Sequence, residues 1–204
     1  MGEKITGIIL SGGKSCRMGQ DKGLCMLGDK PMIGYGLEVL ESLCDEILIS
    51  ANDSFYEEFH YPVIEDKIRD IGPLGGLMSG ISEAKNEHIL VLSCDMPFVN
   101  TALFLYILEQ KENYLAAIPD FRGLIEPTCG YYHKNILNII EKQIRKQEYS
   151  LRKMLQNANY LKVVIEEQMV FYTPSIFSNV NTRTDLEEAA EIAKGFQNKD
   201  FWTK

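Results

Sequence analysis

The run H-I-L-V-L-S, His88–Ser93, constrains the fold more than any other stretch of the chain. It is continuously apolar between its ends instead of alternating, the pattern of a strand buried on both faces and therefore central in its sheet. Three further strands precede it. Ile5–Leu10 carries an apolar, β-branched run, long enough for a buried strand and too short for a helix. Glu46–Ser50 is a second strand, and P-V-I at residues 62–64 is a third that ends at Glu65 and Asp66. Helices fall between them. Residues 31–42 form one, with Pro31 suited to its first turn and Ile33, Leu37 and Leu40 on one face. A weaker helix covers residues 54–59, and a third opens in I-G-P-L-G-G-L, residues 71–77, and runs to about residue 85. This alternation predicts an α/β fold, a single-domain Rossmann-like three-layer sandwich whose mostly parallel sheet has right-handed crossovers. Ligands of such sheets bind beyond the carboxyl ends of the strands. The loop after Leu10, Asp66, the Gly-Pro-Leu-Gly-Gly turn and Asp95 all belong to that end.

Beyond Asn100 the pattern loosens. Helices are expected over residues 101–110, 135–146 and 150–155, the second with Ile136, Ile139, Ile140 and Ile144 inward and the third capped by Ser150. Strands are expected over residues 114–118, 127–133 and 161–165, the middle one free of any need to be parallel, with a polar turn at residues 120–123. Residues 177–181 read as a short extended piece before a closing helix over residues 184–194. No repeat, low-complexity run or linker divides the 204 residues, which suffice for one sizeable domain and hardly for two.

A formal net charge of −8 argues against nucleic-acid binding through bulk electrostatics, yet leaves room for a small anion where cations gather locally. Cys16, Cys25, Cys44, Cys94 and Cys129 are odd in number and form no C-x-x-C, so neither a disulfide framework nor a zinc site is suggested. His60, His88 and His133 are far apart and in no metal-ligand spacing. Reduced cysteines, no signal-peptide core and no run of membrane-spanning length lead to the expectation of a cytoplasmic protein without membrane partners.

The cations gather right after the first strand. Ile5–Leu10 stops at Ser11-Gly12-Gly13, and the following loop carries Lys14, Arg17 and Lys22 against a single acid, Asp21. Strand, glycine turn and cations together present backbone N–H groups and positive charge to phosphates. Gly13-Lys14-Ser15 looks like the end of a P-loop, but the glycine required five residues before Gly13 is Ile8, inside the strand. A G-x-G-x-x-G fingerprint is also absent, so this is a phosphate-type loop of neither kind.

The longer string L-S-G-G-K-S-C-R-M-G-Q-D-K, residues 10–22, resembles the signature L-x-G-G-x-S-x-R-M-G-x-D-K of the MobA-like nucleotidyltransferases, and within them most closely the molybdenum cofactor guanylyltransferases. Ser11 stands where alanine is usual, a departure expected to do little. C-D-M-P at residues 94–97 matches the family's C-D-x-P, and V-I-E-D at residues 63–66 resembles its V-x-D segment. Gly72-Pro73-Leu74-Gly75-Gly76 stands for G-P-L-A-G, with Gly75 expected to loosen the turn, and S-N-V-N-T-R-T-D-L at residues 178–186 resembles N-x-N-T-P-x-D-L. Residues 114–172 match only in outline, and pterin specificity is expected there.

The resemblance implies a fold like that of the nucleotide-diphospho-sugar transferases, with a nucleotide-binding half over residues 1–100 and an acceptor-binding half over residues 101–195. It also implies roles. Asp95 would hold Mg²⁺, which suits a carboxylate that follows an apolar strand and is costly unless it meets a cation or hydrogen bonds; on local sequence alone it could instead cap the next turn. Lys22 would steady the charge spreading at an α-phosphate, and Arg17 would fork onto the β- and γ-phosphates. Leu10, Ser11, Gly12 and Gly13 would cradle GTP, Asp66 would contact its guanosine, and Asn179 and Asn181 would bind the pterin or assist the metal. Lys14 and Glu65 read better as solvated. The implied reaction is attack by the terminal phosphate of molybdopterin on the α-phosphate of GTP. The expected state is a monomer that makes passing contacts with other cofactor-biosynthesis proteins or recipient molybdoenzymes. Cytidylyl transfer, transfer to another small-molecule phosphate, and a nucleotide-binding regulator without catalysis are the rival readings.

Overall fold

The computed structural model describes residues 2–12 and 21–196. In chain order the strands are β1 (Ile5–Leu10), β2 (Met26–Leu27), β3 (Lys30–Pro31), β4 (Glu46–Ser50), β5 (Val63–Ile64), β6 (His88–Ser93), β7 (Ala116–Phe121), β8 (Leu124–Ile125), β9 (Cys129–His133) and β10 (Tyr160–Ile165). The α-helices are α1 (Met32–Glu41), α2 (Pro73–Glu83), α3 (Thr101–Gln110), α4 (Leu137–Arg145), α5 (Leu151–Gln156) and α6 (Arg183–Phe196). The main sheet has the order β10-β7-β9-β6-β1-β4-β5, with β8 pairing back on β7. Within it β1 pairs in parallel with β4 and β6, β5 continues in parallel beyond β4, and β10 lies parallel to β7. Only β8 and β9 run against this direction among the described strands of the sheet, β9 lying between β6 and β7.

The central position of β6 follows from its side chains. Leu90 and Leu92 join one buried cluster with Ile33, Leu37 and Leu40 of α1 and Leu103, Phe104 and Ile107 of α3. Ile89 and Val91 point to the opposite face, where Leu74, Leu77 and Ile81 of α2 meet Ile140 of α4 and Met154 and Leu155 of α5. Strand residues alternate between the two faces, so a continuously apolar strand requires a helical layer on each. A third, smaller cluster packs Ala189 and Ala193 of α6 against Leu27, Met32 and Phe98, fastening α6 beside β2 and the start of α1.

Several expectations shift. The helix read from the loop at residues 71–77 starts inside that loop, at Pro73, so Gly75 and Gly76 are buried helical residues. The strand expected over residues 114–118 is Ala116–Phe121, and the polar turn shrinks to Arg122 and Gly123, both with positive φ. Pro119 lies inside this strand, paired with Val163 of β10 and accepting from the Glu126 N–H, so a residue that reads as a breaker is tolerated where its missing N–H is not needed. The helix over residues 135–146 begins as a 3₁₀ turn at Lys134–Ile136; Ile136 and Ile140 are buried, Ile139 and Ile144 half-buried, and Gln143 is buried by donating to the Ser150 carbonyl at 2.8 Å. Residues 177–181 join no strand. Among the described residues no helix is long and apolar enough to cross a membrane.

Leu90 is fully buried on the face covered by α1 and α3. Leu90→Ala should lower the unfolding free energy by about 2–5 kcal/mol through lost transfer energy and the cavity left behind. Urea denaturation of the two proteins measures this directly, and a loss under 1 kcal/mol (roughly an exposed-site effect) would show that the core closes over the gap.

Candidate active site

Backbone pairing continues past the strand ends and brings four loops to one edge. Ser11 N–H donates to the Ser50 carbonyl (2.8 Å), Cys94 N–H to the Leu10 carbonyl (3.0 Å) and Ala51 N–H to the Ile64 carbonyl (3.1 Å). The segments after β1, β4, β5 and β6 therefore stand side by side at the carboxyl end of the sheet. Leu10, Ser11 and Gly12 lie there at the end of β1, while Gly13, Lys14 and Arg17 fall outside the described residues.

Lys22 begins a 3₁₀ turn, Lys22–Leu24, capped by Asp21, whose Oδ1 accepts from the Gly23 N–H at 3.1 Å. From this turn the Lys22 ammonium reaches Asn181 Oδ1 at 2.5 Å and stands 3.7 Å from Asp95 Oδ2. Asp95 follows β6, and its other oxygen, Oδ1, accepts from the Ser93 hydroxyl at 2.6 Å. Both the Lys22 and the Asp95 side chain are less than one-third exposed, so their attraction is only partly screened by water. Three residues distant in sequence thus meet at one point.

The arrival of Asn181 has its own local causes. Val180 N–H donates to the Asp95 carbonyl at 2.8 Å, docking this stretch directly on the turn after β6. The next residues form a helix start: Asp185 Oδ2 accepts from the Asn181 and Thr182 N–H groups at 2.8 and 2.9 Å, and Thr182 Oγ1 accepts from the Asp185 N–H. Those backbone and hydroxyl donors hold the Asp185 carboxyl below its ordinary pKa, the Asn181 N–H foremost. The N-x-N-T element therefore acts as a helix cap that also presents Asn181. Asn179 faces the other way in effect: it is exposed, with its amide on the Phe177 carbonyl at 3.4 Å.

Asp66 sits beyond β5, tied to Asn52 by a reciprocal pair in which Asn52 Nδ2 donates to Asp66 Oδ2 at 3.0 Å and Asp66 N–H donates to Asn52 Oδ1 at 2.9 Å. The start of α2 comes close to it. A Cβ on Gly76 would stand 2.6 Å from Ser50 Oγ and 3.4 Å from Asp66 Oδ1, while one on Gly75 would stand 2.8 Å from the Ile68 carbonyl oxygen. Glycine at position 75 therefore lets the chain after Asp66 press against the helix, rather than loosening a turn.

Three contributors escape the sequence reading. Asn52 stands two residues past a strand end, the one signal that could have found it. Tyr56 is fully buried in the 3₁₀ helix Ser54–Phe59, with its hydroxyl accepting from Ser11 Oγ at 2.6 Å and donating to Asp21 Oδ1; nothing in the local sequence points to this. Glu126 enters from the turn before β9, where the Thr128 carbonyl holds the Ser93 N–H at 2.8 Å. Burial raises the Glu126 carboxyl above its ordinary pKa; Arg152 works against this and Asp95 adds to it. Cys94 is no nucleophile here, since burial and then Asp95 push its thiol up to about 12, leaving no useful thiolate at neutral pH.

The residues fit a hard cation shared with phosphates. Among the described residues no three His, Cys, Asp or Glu side chains converge. Mg²⁺ in such sites asks for only one or two carboxylates, the substrate supplying the rest. Asp95 Oδ2 and Asn181 Oδ1 are oxygen donors already gathered around the positive charge of Lys22.

Residues 7–163 match the family described as the MobA-like NTP transferase domain. The chain belongs to this family. It is 33% identical over 186 residues to the molybdenum cofactor guanylyltransferase of Syntrophotalea carbinolica, across 89% of this chain and 88% of that protein. It is 30% identical over 192 residues to a probable molybdenum cofactor guanylyltransferase of Carboxydothermus hydrogenoformans, across 93% and 97% of the two chains. The crystal structure of molybdopterin-guanine dinucleotide biosynthesis protein A from Archaeoglobus fulgidus superimposes with a TM-score of 0.78 over 94% of this chain and all of that one, at 24% identity, a likeness of fold. As a MobA-like NTP transferase the chain is a nucleotidyltransferase, and its sheet and helical layers are those expected of a nucleotide-diphospho-sugar-transferase-like fold.

Proposed function

We propose that this nucleotidyltransferase moves GMP from GTP to the terminal phosphate of molybdopterin, releasing pyrophosphate and forming the guanine dinucleotide cofactor. The observation that carries this reading is the meeting of Lys22, Asp95 and Asn181 at the carboxyl end of the sheet; the named relatives supply the substrates. The half of the chain up to about residue 100 holds GTP, and the rest lines the acceptor side.

An oxygen of the acceptor phosphate attacks the α-phosphorus of GTP in line with the leaving group. The new P–O bond forms as the bond to the β-phosphate oxygen breaks, and pyrophosphate carries away the electron pair. The acceptor phosphate is already anionic, so no strong general base is required. Lys22 places one fixed positive charge where negative charge spreads in the transition state, at a site that need not reorganise to receive it. Asp95, with Asn181 beside it, would hold Mg²⁺, whose chemistry when bound is to neutralise phosphate charge and orient the leaving group. Asp66, held by Asn52, takes the guanine, whose N1–H and amino group offer two adjacent donors to one carboxylate.

Incubation with GTP or CTP, Mg²⁺ and molybdopterin, followed by identification of the product, tests the reading as a whole; a cytidine product would replace it. Lys22→Ala should cost ~3–4 kcal/mol in the transition state, a hundred- to thousandfold in turnover, with a much smaller change in GTP affinity. Turnover within about threefold of wild type would leave Lys22 a solvated loop residue.

Asp95→Asn keeps the size and one neutral oxygen but gives up the charge a hard cation favours. Mg²⁺-dependent turnover should be abolished while the melting curve stays close to wild type; an active variant with unchanged Mg²⁺ dependence moves the metal elsewhere.

Asp66→Ala should narrow the gap between GTP and CTP affinity, because cytosine leaves a half-buried acceptor partly unpaired, at about 1–3 kcal/mol. Dissociation constants for both nucleotides decide it. An unchanged ratio removes Asp66 from base recognition, and GTP and CTP weakened alike would assign it to the ribose, which both nucleotides share.

A further inference from the structure

Ser11 and Asp21 flank the glycine-and-cation stretch of the sequence, and one side chain from a distant segment joins them. Tyr56 reaches them from the 3₁₀ helix Ser54–Phe59, fully buried, and its hydroxyl stands between the two. The chain of hydrogen bonds has one direction: Ser11 Oγ donates to the phenol oxygen at 2.6 Å, and the phenol donates to Asp21 Oδ1. That same Oδ1 accepts from the Gly23 N–H at 3.1 Å and so caps the turn on which Lys22 rides. Ser11 is itself anchored to the sheet through its N–H on the Ser50 carbonyl.

Two further facts make this a rigid link. Gly23 lies flat against the bridge, since a Cβ there would stand 2.4 Å from Ser11 Oγ and 2.5 Å from the Tyr56 hydroxyl. Burial, then the nearby Cys94 thiol and the hydrogen bond to Asp21, raise the Tyr56 pKa far beyond its ordinary range, so the phenol remains a donor at any working pH. The bridge also depends on the hydroxyl of Ser11, at the position where the family signature usually has alanine, so the departure expected to do little adds a donor.

We propose that Tyr56 is a positioning residue of the transfer reaction, which by tying Asp21 to Ser11 and the end of β1 sets the Lys22 ammonium against Asp95 and Asn181. The proposal rests on the reading that Lys22 steadies the reacting phosphate. A charge acts there only if it is held in place before the reaction, and displacement by about 1 Å can cost on the order of a hundredfold.

The test is a double-mutant cycle of Tyr56→Phe with Lys22→Ala, in pyrophosphate-release kinetics with whichever nucleotide the wild type turns over, so that a preference for CTP leaves the cycle intact. Tyr56→Phe should lower kcat by about ten- to a hundredfold and change KM for the nucleotide by less than about threefold. On the Lys22→Ala background the same substitution should change kcat by less than about twofold, because the group it positions is gone. Equal losses on both backgrounds, or a Tyr56→Phe enzyme within about twofold of wild type, overturn the proposal. If Tyr56→Phe does not fold, Ser11→Ala serves instead, removing only the donated bond. A loss of about two- to fivefold confined to the Lys22-containing protein supports the bridge, and equal effects on both backgrounds overturn it.

Discussion

Burying two central parallel strands on both faces is the constraint from which the rest of this molecule follows. β1 and β6 pair along their whole length, residue Ile5 beside His88 through Leu10 beside Ser93, and their interior side chains are shut away from water. A buried strand satisfies its backbone through its neighbours and leaves polar side chains room only where each finds a partner, so unpaired polar groups and charges gather where the ladder ends. It begins there abruptly, with Ser11 after Leu10, Asn52 after Ser50 and Asp95 after Ser93. The candidate site lies along the line where the sheet stops.

That line supplies rigidity as well as polarity. Lys22, Asp95 and Asn181 come from a turn capped by the Asp21 side chain, a strand end and a helix start capped by the Asp185 side chain, each held by its own local hydrogen bonds. The contact between them is consequently a meeting of held groups, at small cost in conformational entropy. Electrostatic stabilisation of a spreading phosphate charge depends on this kind of preorganisation. α6 contributes from outside the sheet, since its packing on Leu27, Met32 and Phe98 brings the last described element back beside the segment that follows Lys22.

The sequence and the structure part company at sites where tertiary contacts override local signals. Pro119 reads as the end of a strand, yet lies within one because its neighbours ask for its carbonyl and not for an N–H. Gly75 reads as a looser version of alanine, yet the Ile68 carbonyl fills the space where a side chain would start. Gln143 occupies a buried helix position suited to an isoleucine because the Ser150 carbonyl accepts its amide. Asn179 and Asn181 share a motif and a spacing, but only Asn181 reaches Lys22, since the docking of Val180 on Asp95 turns Asn179 outward to solvent.

What the sequence by itself determined was the class of fold and the family, together with which strand ends carry the candidate site residues, because these rest on local patterns: apolar runs of strand length, helical spacing, and a long motif around Gly12, Lys22 and Asp95. The register of Asp66 with Asn52, the burial of Tyr56 between Ser11 and Asp21, and the antiparallel placement of β9 were decided by tertiary structure alone. These are contacts between residues 14 to 45 positions apart, whose partners are chosen by how helices and strands pack and leave no trace in the neighbouring sequence.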